Sequence, residues 1–319
     1  MKQSVLVSVD TEGPAGDNPI DTLIYGKTSA KKEYGIQFLM RLFERYSIRG
    51  LFFVDIAEAW DYGKNEIIKV LKTIDENGHD VGVHLHPDHM ADKYRRYLWQ
   101  YNYREQYEMI SACTDFYEKA LHCHPISFRA GRYSANNDTI DILSKLDYKF
   151  EMSSFYGNRY CRIDPPLSYN KMVRINDTKL IEVPVTSFKS FSSPFYSRFD
   201  KIDCSMDIHE FDRVMKRICL SDQVDVVSLF VHSFSVLNWR RDPNNPKLDK
   251  RLEQRLIDQI EWISNSQNME FITESELNNI LLTDIGKDNI LDVSDGLLPY
   301  WFFVKRALSV IKARIIRNV

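Results

Sequence analysis

Short, almost wholly apolar runs separated by helix-periodic segments are the feature that most narrows what this chain can become. Residues 5–9, 51–54, 127–129, 149–153, 180–185 and 224–232 read as strands. Residues 81–87 read as a strand running into a loop, and 269–272 as a further strand. Between them, 33–45, 66–76, 94–121, 139–146, 211–219 and 252–264 carry helical spacing, and Asn77-Gly78 closes the second of these helices. The strand runs are continuous rather than alternating, as parallel strands covered on both faces must be. No shift in composition marks an internal boundary. The expectation is an α/β chain with a single distorted (β/α) barrel of about seven strands over 1–285, followed by a basic amphipathic helical tail over 286–319.

The polar residues of interest fall where such a fold builds its sites. The first strand stops on Asp10-Thr-Glu12-Gly13. Side chains at i and i+2 of a strand leave the same face, so the two carboxylates point together and repel unless a cation or a shared proton lies between them. His84, Arg129 and His232 also stand at or just past predicted strand ends, on the rim that carries active sites in β/α barrels. A lone histidine is usually satisfied structure. His84, His86 and His89 within six residues are hard to explain as core filler. Carboxylate plus two or three imidazoles is a donor set for zinc or a similar divalent ion.

Four segments in order extend this reading: Ser8-Val-Asp10-Thr-Glu12-Gly13, Gly78-His-Asp-Val-Gly-Val-His84, Phe128-Arg129-Ala-Gly131-Arg132-Tyr133, and Phe230-Val-His232. Together with Arg49-Gly-Leu-Phe-Phe-Val54, they resemble the marks of the polysaccharide deacetylases, carbohydrate esterase family 4, over about residues 1–275. The resemblance implies a polysaccharide-deacetylase-like barrel and metal-dependent hydrolysis of an N-acetyl group on a sugar of a cell-surface polysaccharide or its precursor. It also implies roles: Asp10 as the general base, Glu12 and His84 as metal ligands, Arg129 as the group holding the base, and His232 as the acid that protonates the leaving amine. Three positions depart from the family pattern. A residue separates the two acids, which resembles a divergent branch with Asp-x-Glu and His-x-His-Pro forms. Position 88, where the family's second ligand histidine falls, is Asp. His86, His89 or Asp88 therefore completes the ligand set, with His86 placed first on strand geometry. The family's Arg-x-Pro-Tyr reads Arg129-Ala-Gly-Arg132 here.

The residues alone describe the same chemistry. Three protein ligands leave a metal position open, a nearby carboxylate accepts a proton, and an amine leaves only with a proton supplied to it. No Gly-x-Ser-x-Gly elbow and no phosphate-cradling Gly-rich loop is present. Other readings of the pattern are a hydrolase of a non-sugar amide or cyclic imide, and an inactive glycan-binding relative.

Bulk properties exclude some classes. A net charge of -3 gives no reason to expect nucleic-acid binding. Five scattered cysteines without a CxxC pair suggest free thiols in a reducing, cytoplasmic setting. The N-terminus lacks the pattern of a secretory signal, and no run of 18 apolar residues predicts a membrane span. Residues 297–319 hold five cations and no acid among large apolar residues. Such a helix suits peripheral contact with an anionic membrane, docking on the barrel, or a homo-oligomer interface. Tyr94, Tyr97, Trp99, Tyr101, Tyr103 and Tyr107 form an aromatic run suited to packing or to sugar stacking.

Overall fold

The computed structural model describes residues 2–175, 178–286, 288–296, 300–302 and 304. Most of the tail expected over 286–319 lies outside these residues. The frame is formed by β1 (Gln3–Thr11), β2 (Leu51–Asp55), β3 (Asp80–Leu85), β4 (Ser127–Ala130), β5 (Phe150–Glu151), β6 (Val173–Arg174) and β7 (Ile181–Glu182). A hairpin of β8 (Ser187–Ser193) and β9 (Tyr196–Lys201) precedes β10 (Val226–His232). A small ribbon, β11 (Leu237–Asn238) with β12 (Lys247–Leu248), and β13 (Met269–Phe271) complete the strands described. One nine-stranded sheet runs β10-β1-β2-β3-β4-β5-β7-β6, with β13 against the start of β1. Its pairings are parallel except β6 with β7.

The sheet curls into a partial barrel whose ladder is not continuous. Between β7 and β10, side-chain and loop contacts replace strand pairing. Thr186 Oγ1 donates to the Val226 carbonyl at 3.1 Å and accepts from the Ser228 N–H at 2.8 Å. Higher up, the Phe230 N–H donates to the Ile202 carbonyl at 3.1 Å. The barrel expectation therefore holds with two qualifications: closure is by these contacts, and the sheet has more strands than the apolar runs suggested.

Seven helices flank the strands: α1 (Ile36–Arg45), α2 (Ala59–Tyr62), α3 (Lys64–Glu76), α4 (Tyr103–Leu121), α5 (Asn137–Lys145), α6 (Ile208–Cys219) and α7 (Lys250–Ser264), counted among the described residues. The long helix expected from 94 begins only at α4. There Asn102 caps it and exchanges hydrogen bonds with Glu105, which satisfies the first free N–H groups and fixes the boundary. Upstream, Tyr97 stacks between Trp99 and Tyr160 at 5.0 and 4.9 Å, so its ring faces are covered by protein.

Strand alternation sets which side chains enter the barrel. Val5, Val7 and Val9 face the helical layer, whereas Leu6 joins the interior cluster with Phe53, Phe150, Met152 and Val226. Ser8, Asp10 and Glu12 share the parity of Leu6 and extend that inward row to the rim. On β3, a Cβ at Gly82 would lie 2.6 Å from the Phe53 ring, so the large ring takes the volume that glycine leaves. Phe53→Ala should cost about 3–5 kcal/mol by leaving that cavity; thermal or urea unfolding measures it.

His79, a residue of the second quoted segment, is structural. It is buried, and its Nδ1 accepts the Gly50 N–H at 3.1 Å. Burial, with the charge of Arg49 adding to it, pushes its pKa from 6.5 down to about 4. The folded value lies below the unfolded one, so the contribution to stability is full above about pH 6.5 and is lost as pH falls towards 4. The loss should reach about 3 kcal/mol at most. Denaturation between pH 7 and pH 4 measures it, and His79→Gln should flatten that part of the profile.

All five cysteines are free. No helix among the described residues is long and apolar enough to cross a membrane. At the start of the tail, Phe302 is buried beside Arg213, Arg217 and Leu220, and the Tyr300 ring meets Phe191 at 5.2 Å.

Candidate active site

Parallel pairing brings the C-terminal ends of β1, β2, β3, β4 and β10 to one rim. In register, Asp10 stands beside His232, Asp55 beside His84, and His84 beside Arg129. Arg129 is one of the largest fully buried side chains, at 1% exposure. Its three branches are satisfied: Nη1 donates to Asp10 Oδ1 at 2.6 Å, Nη2 to Ser8 Oγ at 3.1 Å, and Nε to the Met152 carbonyl at 3.1 Å. The Phe53 ring lies 4.2 Å beneath the guanidinium. Burial pushes the Asp10 carboxyl up, but Arg129, then His84 and His232, outweigh it and hold Asp10 below its ordinary range. Asp10 is thus a fixed, unprotonated carboxylate at neutral pH.

Glu12, His84 and His86 offer donor atoms that all lie within 4.8 Å of one another. Glu12 Oε2 is 2.7 Å from His86 Nε2 and 3.6 Å from His84 Nε2. The two Nε2 atoms are 3.1 Å apart. His84 Nδ1 contacts the Arg129 carbonyl at 2.8 Å. A carbonyl only accepts, so Nδ1 carries a proton and Nε2 faces the cluster, the arrangement that metal-ligating histidines take from such a partner. Two ring nitrogens and a carboxylate converging this closely are held together by a proton or by a cation between them. The set fits a divalent ion. Without an ion, burial lowers the pKa of His84, but Asp10 and then Glu12 overcome this and raise it to about 9, so a proton sits on Nε2 until a cation displaces it. Glu12 itself is pushed up by burial and brought well below its ordinary range by His86 and His84.

The structure separates the residues that the sequence left as alternatives. His86 continues the inward row of β3. The chain then enters a 3-10 turn, Pro87–His89, which carries His89 away from Glu12. His89 instead places Nδ1 2.7 Å from Asp61 Oδ2 and Nε2 3.8 Å from Asp55 Oδ2. His89 as a partner of Glu12 is therefore corrected. Asp88 is taken by Arg132, whose two Nη atoms donate to it at 2.7 and 3.0 Å. Arg132 and Tyr133 adopt left-handed φ values of 56° and 57°, a strained pair that aims the Arg132 guanidinium at Asp88.

Gly131 explains part of the altered Arg129-Ala-Gly-Arg132 segment. A Cβ there would lie within 2.6 Å of Cγ and Nε2 of His86. Gly131→Ala should displace the His86 ring and weaken divalent-metal affinity by roughly 10–100-fold, the scale of lost outer-shell support. Metal titration with circular dichroism as a folding control checks this.

His232 stands opposite, with Nε2 3.7 Å from Glu12 Oε1, edge-on to Phe230 and stacked on Phe234. Burial lowers its pKa to about 4, so it is uncharged at neutral pH. A cavity of about 260 Å³ opens beside it, lined in part by Phe234, Trp239 and Arg240. Sequence reasoning missed Lys201, at the end of β9. Its Nζ lies 3.0 Å from the Phe230 ring centre and donates to the Tyr133 hydroxyl at 2.5 Å. Burial lowers it to about 8. Nothing local marks Lys201, because it reaches the rim only through the hairpin. Asp55 was also missed, although it ends a strand as Asp10 does.

Comparison with known proteins agrees with this architecture. Residues 35–150 match the family described as polysaccharide deacetylase. No curated protein matches the chain. Among solved structures, one assigned as a polysaccharide deacetylase from Mycobacterium smegmatis is similar, with TM-score 0.57, 14% identity, and 91% of this chain and 96% of that one covered. A 4-alpha-glucanotransferase from Thermococcus litoralis gives TM-score 0.53 at 10% identity, covering 89% of this chain and 42% of that one. Puue allantoinase gives 0.52 at 10% identity, covering 86% and 89%. At such identities the likeness is one of fold, and the fold hosts several chemistries.

Proposed function

We propose that this chain, residues 35–150 of which match the polysaccharide deacetylase family, is a metal-dependent deacetylase hydrolysing the N-acetyl group of a sugar in a cell-surface polysaccharide or its precursor. The observation carrying this reading is the Glu12–His84–His86 donor set lying beside a carboxylate, Asp10, that is fixed by a buried arginine. A divalent ion held by those three residues, zinc in first place, would supply Lewis acidity toward a carbonyl and toward water. The protein's own groups do the rest. Asp10, kept ionised by Arg129, accepts a proton at its free oxygen, which lies 3.8 Å from His84 Nε2. His232 is uncharged at rest, so it acts as an acid only after receiving a proton. It then has an amine leaving group to protonate on the side that faces the cavity. Lys201, still mostly protonated near neutral pH, supplies fixed positive charge behind that side. Phe234 and Trp239 give the cavity aromatic faces on which a sugar ring stacks.

The test is acetate release from N-acetylhexosamine oligosaccharides by metal-loaded protein, with a cyclic imide and a simple aryl amide as comparison substrates. Acetate from the sugar substrates alone supports the reading. Turnover of the imide alone replaces it with the alternative amidohydrolase. Metal binding with no turnover of any substrate indicates the glycan-binding relative.

A further inference from the structure

His89 does not leave the first donor set for solvent; it enters a second one. Asp55, Glu58 and His89 also present donor atoms that all lie within 4.8 Å of one another. Two stretches of chain supply them. Asp55 ends β2, Glu58 ends the 3-10 turn Ile56–Glu58, and His89 ends the turn Pro87–His89.

Each residue has one side already engaged and one side free. Asp55 Oδ1 accepts from the N–H groups of Ala57 and His86, both at 3.2 Å. Glu58 Oε1 accepts the Gly13 N–H at 2.5 Å. The remaining oxygens, Asp55 Oδ2 and Glu58 Oε2, are buried without a hydrogen-bond partner, in side chains 1% and 0% exposed. His89 Nδ1 is held by Asp61, which directs Nε2 towards Asp55 Oδ2. This is the carboxylate–histidine arrangement that orients a metal ligand.

Positive charge is short at this place. Among the described residues, neither Asp55 nor Glu58 forms an ion pair with a Lys or Arg, and the neighbouring carboxylates Glu12 and Asp61 add negative charge. Kept ionised, two buried carboxylates with no cation beside them would cost several kcal/mol per ion, and burial and then Asp55 accordingly push the Glu58 carboxyl well above its ordinary range. A proton on Glu58 would still leave Asp55 Oδ2 and Glu58 Oε2 without a hydrogen-bond partner, whereas a bound ion would engage both. The His89 side chain is 15% exposed, so one side of the cluster reaches solvent and leaves room for water ligands.

We propose that Asp55, Glu58 and His89 form a second divalent-cation site, distinct from Glu12–His84–His86, which takes a transition ion of Zn²⁺ or Mn²⁺ type. Two oxygens and one imidazole suit those ions better than Ca²⁺ or Mg²⁺, which prefer all-oxygen shells. The site ties together the end of β2, the loop after Glu12 and the turn after His86, so its ion braces the backbone that carries the first ligand set. It does not depend on the reaction proposed above.

The test counts bound ions on full-length protein. Wild type, Glu58→Gln, His89→Gln, Glu12→Ala and the Glu12→Ala/Glu58→Gln double variant are stripped with chelator. Each is dialysed against one fixed free Zn²⁺ concentration, and separately against Mn²⁺, and measured by atomic emission. Expected counts are two ions for wild type, one for each single variant and none for the double variant. His89 lies near the surface, so His89→Gln decides the matter if Glu58→Gln fails to fold by circular dichroism. The site is overturned if folded His89→Gln binds as many ions as wild type. Failure of the Glu12 site alone reads differently: wild type and Glu12→Ala then hold one ion each, and His89→Gln holds none.

Discussion

Asp10→Asn should retain divalent metal while turnover of an acetylated sugar falls by about 10²–10⁴, the usual scale for losing a general base. The amide still offers an oxygen to Arg129 Nη1, now 2.6 Å from the carboxylate, but its nitrogen cannot accept a proton. A structural cost accompanies the kinetic one. Arg129 is 1% exposed and Asp10 is its ion-pair partner, so neutralising position 10 leaves a buried cation uncompensated. Breaking a buried pair by removing one partner costs about 3–5 kcal/mol. The Asn side chain recovers part of this through its carbonyl. Assays therefore belong well below the variant's melting temperature, with metal content and circular dichroism measured alongside. A folded, metal-loaded variant with near-wild-type turnover would remove Asp10 from the proton-accepting role.

Glu12→Ala should abolish tight binding at the first site. Glu12 is the anionic member of the set, and its Oε2 faces both ring nitrogens. Without it, only the two imidazoles, whose Nε2 atoms are 3.1 Å apart, remain to hold an ion. The loss should exceed the roughly 10–100-fold that outer-shell changes cause, because a ligand itself is gone. Competition against a chromophoric chelator measures this, and Glu12→Asp shows whether reach as well as charge matters. Retained tight binding in Glu12→Ala would place the ion elsewhere.

The two variants separate roles that one rim brings together. Asp10→Asn tests what happens to a proton, and Glu12→Ala tests what holds a cation. Both rest on β1, whose even-numbered residues run inward from Leu6 through Ser8 to Asp10 and Glu12.

That row shows what the sequence determined by itself. A strand buried on both faces must be continuously apolar, and its side chains alternate. The run from Val5 to Val9 therefore implied a central parallel strand, and the i, i+2 spacing implied that Asp10 and Glu12 share a face. The same logic placed His84, Arg129 and His232 at strand ends, and parallel pairing carries those ends to one rim. Pairing of His84 with His86 was legible for the same reason.

Tertiary structure decided what depends on backbone turns and distant partners. Whether His89 or Asp88 joined Glu12 turned on the 3-10 geometry of Pro87–His89 and on Arg132, held at positive φ from another strand end. Local periodicity carries no information about either. Lys201 arrives on a hairpin whose residues alternate weakly and whose register is set by long-range packing. The second acidic cluster needed the end of β2 and the turn Pro87–His89 to meet. Asp55 and Glu58 lie only three residues apart, yet their unpartnered oxygens become meaningful only once burial removes water from them and His89 is turned to face them.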